Sequence, residues 1–130
     1  MDIETLREHC LSLPLVTEDF PFDEEVLVFR VGGKIFAMLN LVNTEWFVLK
    51  CDPERALELR ERYAEIAPAW HMNKRHWNQI NLYGTLQTDL LWALIAHSYA
   101  LVAAKLPKTF RSEHPEIMKI GPEESFFETL

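Results

Sequence analysis

Residues 26–50 read VLVFRVGGKIFAMLNLVNTEWFVLK, and this stretch decides the fold. Two apolar, β-branched runs, VLVFRV (26–31) and KIFAMLNL (34–41), are joined by Gly32 and Gly33 alone. A two-residue connection that takes positive φ at both positions suits glycine and closes a β-hairpin. After the polar Asn43 and Thr44, EWFVLK (45–50) supplies a third strand, so the middle of the chain reads as an antiparallel meander.

On the N-terminal side, Ile3, Leu6, Cys10 and Leu11 recur at helical spacing behind Asp2, a candidate N-cap, and Pro14 ends that helix. Residues 15–25 (LVTEDFPFDEE) read as an extended, acidic link. On the C-terminal side, Asp52 and Pro53 open a second helix as N-cap and first residue, with Ala56, Leu59, Tyr63 and Ile66 as its apolar stripe and Pro68 as its stop. HWNQINLY (76–83) reads as a further strand ending at Gly84. From Leu90 to Leu106 the chain is apolar except for His97, Ser98 and Lys105, with Thr88 as the expected N-cap. That run falls short of the ~20 residues that span a bilayer, so it reads as a buried helix, and Ala93, Ala96, Ala100 and Ala103 suit close packing on a sheet. The expectation is one α+β domain over residues 1–112, an antiparallel sheet packed against helices, followed by an acidic, partly irregular tail over 113–130.

The 130 residues are 48% hydrophobic and 25% charged, a composition that excludes disordered, collagen-like and disulfide-stapled chains. The net charge of −7 is unevenly spread: −7 over residues 1–65, +4 over 66–112 and −4 over 113–130. A block whose only acid is Asp89 can present a basic face on an acidic molecule, or can be mostly core and poor in either charge. Cys10 and Cys51 have no CxxC or metal spacing and read as two buried thiols of a cytosolic protein, and the acidic N-terminus has no secretory pattern.

The densest functional candidate is the stretch Trp70, His71, Asn73, Lys74, Arg75, His76, Trp77 and Asn78. Lys74 and Arg75 suit phosphates, an indole can stack on a base, and Asn73 or Asn78 can bond a base edge. The structural alternative makes both tryptophans core and the polar residues a solvated turn. Lys105, Lys108 and Arg111 form a second basic group, suited to the negative end of the long helix as much as to a partner. The first 25 residues set eight carboxylates (Asp2, Glu4, Glu8, Glu18, Asp19, Asp23, Glu24 and Glu25) against Arg7 alone. Such a face could weakly hold cations or dock a basic protein. His97 and Ser98 are adjacent on a helix and point about 100° apart, so they read as satisfied core polar groups, with Tyr99 buried and its hydroxyl paired. No nucleophile turn, metal motif or phosphate loop is present, so no catalytic residue and no cofactor is expected.

Three stretches carry a family resemblance: FPFDEEVLVFRVGGKIFAML, CDPERALELRERYAEIAPAWHMNKRHWNQI and IAHSYALVAAKLPK. In order and spacing they resemble the MmcQ/YjbR family of small bacterial proteins over about residues 1–110. The resemblance implies an α+β fold similar to a frataxin-type, CyaY-like two-layer sandwich. Members are described as DNA-binding on the likeness of that fold to DNA-binding domains, which is an analogy of shape. The functional expectation is a non-enzymatic, monomeric cytoplasmic protein that binds DNA through Asn73, Lys74, Arg75, His76, Trp77 and Asn78, without a membrane partner. Its rival is a module that uses the acidic N-terminal face to hold a cation or a basic protein. The tail over 113–130 could fold back and compete with a polyanion for the basic block.

Overall fold

The computed structural model describes residues 1–121. In chain order they form α1 (Ile3–Ser12), β1 (Val16–Asp19), β2 (Val26–Val31), β3 (Lys34–Asn40), β4 (Phe47–Lys50), α2 (Pro53–Arg62), β5 (Ile66–Pro68), β6 (Trp77–Ile80), α3 (Thr88–Ala104) and α4 (Lys108–Glu113), then a 3-10 helix (Pro115–Lys119). The hairpin is as expected: Gly32 and Gly33 take φ of +57° and +79° and join β2 to β3. One six-stranded sheet in the order β1-β2-β3-β4-β6-β5 grows from it, with every neighbouring pair antiparallel.

Alternation divides the sheet into two faces. Leu27, Phe29, Val31, Leu39, Phe47 and Leu49 turn to one side, where they bury against residues of α1, α2 and α3. Val28, Met38 and Val48 lie in register across β2, β3 and β4 and bury on the other side, under Trp46, Met72 and Trp77. The helices therefore cover one face. The other is closed by side chains and by the loop before β6.

A β-bulge joins the layers. Phe29 opposes Ala37 while Arg30 opposes Ile35, so Phe36 is an extra residue in β3, and both Phe36 and Ala37 enter the helix-side core. The bulge leaves the Phe36 carbonyl without a ladder partner from β4, and α3 supplies one. The Ser98 hydroxyl donates to that carbonyl at 2.5 Å and accepts from the Lys50 N–H at 2.9 Å. Beside it, His97 Nε2 accepts from the Asp52 N–H at 3.1 Å, and Arg55 lies 3.2 Å from Nδ1. Tyr99 packs edge-on against Phe36 and donates its hydroxyl to the Pro14 carbonyl at 2.6 Å. These three consecutive residues are satisfied core polar groups, as expected.

Several boundaries differ from the sequence reading. The extended link after Pro14 contains a true strand, β1, held by pairing with β2. The second helix stops at Arg62, and Ile66 starts β5, where pairing with Ile80 outweighs its place in the helical stripe. Strand β6 covers only residues 77–80. Thr88 is the first residue of α3 rather than its cap; the cap is Gln87, which makes no side-chain capping bond. Ala96 and Ala100 are only half-buried, so the alanine spacing does not mark one sheet-facing stripe, and Ser98 makes the close contact instead. The boundary expected at residue 112 also moves. Residues 108–113 and 115–119 are helical, and Ile117 is fully buried in the main core, so the packed chain runs to at least Ile120. What is left of the acidic tail, including its expected return to the basic block, lies outside the described residues.

Ser98→Ala should strand the Phe36 carbonyl and the Lys50 N–H in the core and lower stability by about 1–3 kcal/mol, measured by urea unfolding. An unchanged midpoint would show that the bridge carries no weight.

Candidate nucleic-acid interface

Antiparallel order decides which charges share an end of the sheet. Where β2 finishes and β3 begins, β4 also finishes and β6 begins, as the pairs Val31–Lys34 and Lys50–Trp77 show. The end of α3 reaches the same place, because a Cβ on Gly32 would lie 2.7 Å from the Leu106 side chain and 3.3 Å from Phe110 of α4. Gly32 is thus needed both for its positive φ and for this close approach. Lys34, Lys50, Lys74, Arg75, Lys105 and Lys108 gather at this end. Asp23, Glu24, Glu25, Glu45, Glu65 and Asp89 belong to the opposite end, where β2, β4, β5 and α3 begin.

At the basic end, Lys50 Nζ lies 6.0 Å from the centre of the Trp77 ring, within cation–π range. Burial first and the positive Lys105 second hold the Lys50 ammonium below its ordinary pKa, which places Lys105 close by. Lys74 and Arg75 are exposed and line a shallow cleft with Pro53, Glu54, Leu57 and Arg60 of α2, so one carboxylate shares the cleft with them. Among the described residues, none of the six cations at this end pairs with a carboxylate. By contrast, Arg7 bridges Glu4 and Glu18, and Arg30 holds Asp19.

The loop carrying Lys74 and Arg75 is built as two tight turns. The Met72 N–H bonds the Ala69 carbonyl, and the Asn73 carbonyl accepts from the His76 and Trp77 N–H groups. Arg60 clamps this loop to α2: Nε donates to Asn78 Oδ1 at 2.6 Å, and the guanidinium also bonds the Lys74 carbonyl. Burial lowers the Arg60 pKa.

The expected site residues divide accordingly. Lys74 and Arg75 are displayed together. Asn73 is exposed, but its Oδ1 accepts the Arg75 N–H, so it shapes the turn. His76 is half-buried. Asn78 is corrected outright: it is 3% exposed with its Oδ1 bonded to Arg60, and cannot reach a base edge. Trp77 is corrected in part, because it is half-buried over Val48 and Met38 as the roof of the second core. Its ring lies under the Lys50 ammonium. Trp70 is the exposed indole of the stretch, at 66%. In the second basic group, Lys105 and Lys108 are exposed, whereas Arg111 Nε donates to the Leu106 carbonyl at 2.9 Å just past the end of α3. Lys108 opens α4 rather than closing α3, so it does not complement the dipole of the long helix.

Lys34 and Lys50 escaped the sequence reading. Each stands at the end of a strand, and only the pairing register brings them to this surface. The acidic N-terminal face is partly internally neutralised through Arg7 and Arg30, and Asp23 Oδ1 accepts the Glu25 and Val26 N–H groups. The thiols of Cys10 and Cys51 are buried, and desolvation pushes both up to about 12, far from a reactive thiolate. Among the described residues, no helix is long and apolar enough to cross a membrane.

Fold and surface together define a small α+β protein whose six-stranded antiparallel sheet is backed by helices on one face. The YjbR family model matches residues 11–101, and the chain belongs to that family. It is 38% identical over 106 residues to the uncharacterized protein YbdF of Escherichia coli O157:H7, covering 81% of this chain and 87% of that one. It is 30% identical over 112 residues to the uncharacterized protein YjbR of Escherichia coli K12, covering 85% and 95%. Among solved structures, protein DR2400 of Deinococcus radiodurans, a DUF419 domain, superposes with a TM-score of 0.80 at 41% identity over 85% of this chain and 86% of that one. A protein from Pseudomonas syringae superposes with a TM-score of 0.66 at 26% identity over 78% and 99%.

Removing the clamp should loosen the loop. Arg60→Ala leaves the buried Asn78 oxygen unpaired and should cost about 1–3 kcal/mol, with faster proteolysis within residues 69–76. Parent-like cleavage would show that the turns alone hold the loop.

Proposed function

We propose that the basic end binds the phosphate backbone of nucleic acid, with Lys74 and Arg75 as its principal contacts and Lys50 and Lys105 beside them. The observation that carries this reading is the gathering of exposed cations from four separate elements at one end, with no carboxylate among the described residues paired to any of them. Cations left without protein partners are what a polyanion needs, since each phosphate contact releases condensed counterions. The net charge of −7 is spread unevenly: six acids lie at the far end, while Asp52 and Glu54 at the start of α2 stand beside the cations. Backbone contacts of this kind carry affinity without sequence preference, and Asn78 is buried away from any base edge.

The test is fluorescence anisotropy of labelled DNA across a salt series. Binding should fall steeply with salt, and Lys74→Ala/Arg75→Ala should weaken it and reduce the log–log slope by about 1.5–2. Arg62→Ala, at the end of α2 away from this surface, should bind like the parent. No saturable binding at low salt, or a double variant indistinguishable from the parent, overturns the reading.

A second reading rests on the opposite end. Met1, Leu41, Val42 and Tyr83 are exposed and line one groove with Asp2. Glu25 and Glu45 flank it, since the Leu41 N–H bonds the Glu25 carbonyl and Glu45 belongs to the 41–46 turn. A groove that sets exposed apolar side chains beside polar surface, flanked by acids, fits a basic amphipathic helix of another protein. Among the described residues, no group of three or more His, Cys, Asp or Glu side chains is placed to hold a metal ion, so a protein partner is the form of this reading that remains. A synthetic Lys/Leu amphipathic helix should bind the parent and lose at least tenfold in affinity on Val42→Glu, with DNA binding untouched. Equal peptide binding by both proteins rejects the groove.

A further inference from the structure

Trp70 takes no part in either hydrophobic core. At 66% exposure beside a cationic loop, its indole presents a large flat apolar face to solvent. Its ring lies on the ring of His71, with centroids 4.6 Å apart and planes 16° from parallel. The backbone is set for this. The Trp70 N–H donates to Gln79 Oε1 of β6 at 2.9 Å, and His71 takes a left-handed φ of +66° that β-carbon-bearing residues rarely adopt. Such a conformation persists only where its surroundings over-determine it, and such residues concentrate at functional sites. The turn closed by the Met72 N–H on the Ala69 carbonyl, with Ala69 and Met72 anchored in the second core, holds the pair on the outside. Lys74 and Arg75 follow in the next turn of the same loop.

The geometry points to Trp70, backed by His71, as a stacking platform for an unpaired base, which gives the basic end a preference for single-stranded over duplex nucleic acid. This rests on the phosphate-binding reading above, since the platform adds a base contact to a backbone held by Lys74 and Arg75. A base inside a duplex keeps both faces stacked on its neighbours and has none to offer the indole. In a single strand every base has a free π-face, so stacking of this kind is strand-selective and tolerant of sequence.

The experiment compares labelled oligothymidylate with a labelled duplex of the same length, using the parent, Trp70→Ala, Trp70→Phe, His71→Gly and Lys74→Ala/Arg75→Ala. Circular dichroism and thermal melting check each fold. Trp70 is exposed and His71→Gly relieves the positive φ, so neither change should unfold the protein. Oligothymidylate should bind the parent more tightly than the duplex does. Trp70→Ala should weaken oligothymidylate binding about 5- to 100-fold, change duplex binding less than twofold, and abolish the strand preference. Trp70→Phe should recover part of the loss, and His71→Gly should cost affinity for the single strand alone. Oligothymidylate should also quench fluorescence in the parent that Trp70→Phe lacks. Equal weakening of both nucleic acids by Trp70→Ala, or of neither, overturns the platform, as does a parent that binds both equally. If the parent binds both and Lys74→Ala/Arg75→Ala loses both, the phosphate reading stands while the platform falls. If the parent binds neither, both fail.

Discussion

The Ser98 hydroxyl is the contact on which the rest of the structure turns. A bulge at Phe36 parts β3 from β4 in the centre of the sheet, and a gap in a central ladder would leave buried backbone groups without partners. One oxygen from α3 donates to the Phe36 carbonyl and accepts the Lys50 N–H, and so closes the gap with a side chain from the opposite layer. The bond seats α3 on the sheet, and the neighbouring His97 and Tyr99 then bind the start of α2 and the link between α1 and β1. Three adjacent residues thereby fix the last long helix to elements drawn from the whole first half of the chain.

The surface depends on that arrangement. With α3 seated, its end meets the β2–β3 turn through Leu106 and Gly32, which brings Lys105 beside Lys50. Arg60 performs the same service for α2 by tying the 69–77 loop to a helix whose own start is held by His97. The exposed cations are consequently mounted on braced elements. Membership of the YjbR family places the same scaffold in its relatives, and the DR2400 structure shows that the architecture is held at 41% identity.

Much of the fold could be read in the sequence because it rests on local signals. Glycine at two successive turn positions announces a hairpin, Asp52 followed by Pro53 announces a helix, and a long apolar run announces a buried one. What could not be read depends on distant partners. Ile66 fits a helical stripe until β6 offers it Ile80, and Val16–Asp19 is a strand only because β2 lies alongside. Ile117 sits among acidic and proline-rich neighbours, and nothing local tells that α3 will cover it. At the candidate site, residue type marked out Lys74 and Arg75, but burial cannot be read from type. Alternation along β6 turns Trp77 to the second core and Asn78 to Arg60 of α2, both faces being covered, and the sequence reading left open which tryptophan could stack.

The separation of charge between the two ends of the sheet has a physical consequence for encounter. Six cations near the finish of β2 and β4, with Asp52 and Glu54 beside them, and six carboxylates near the strands' start give the described residues an uneven charge along the sheet. In the field of a polyanion a monopole of −7 is pushed away, while this uneven charge experiences a torque that swings the cationic pole forward. Salt screens both effects over one Debye length, about 8–10 Å at physiological ionic strength. The fold's antiparallel order, by sorting strand ends, thus sets which pole the molecule offers to a charged neighbour.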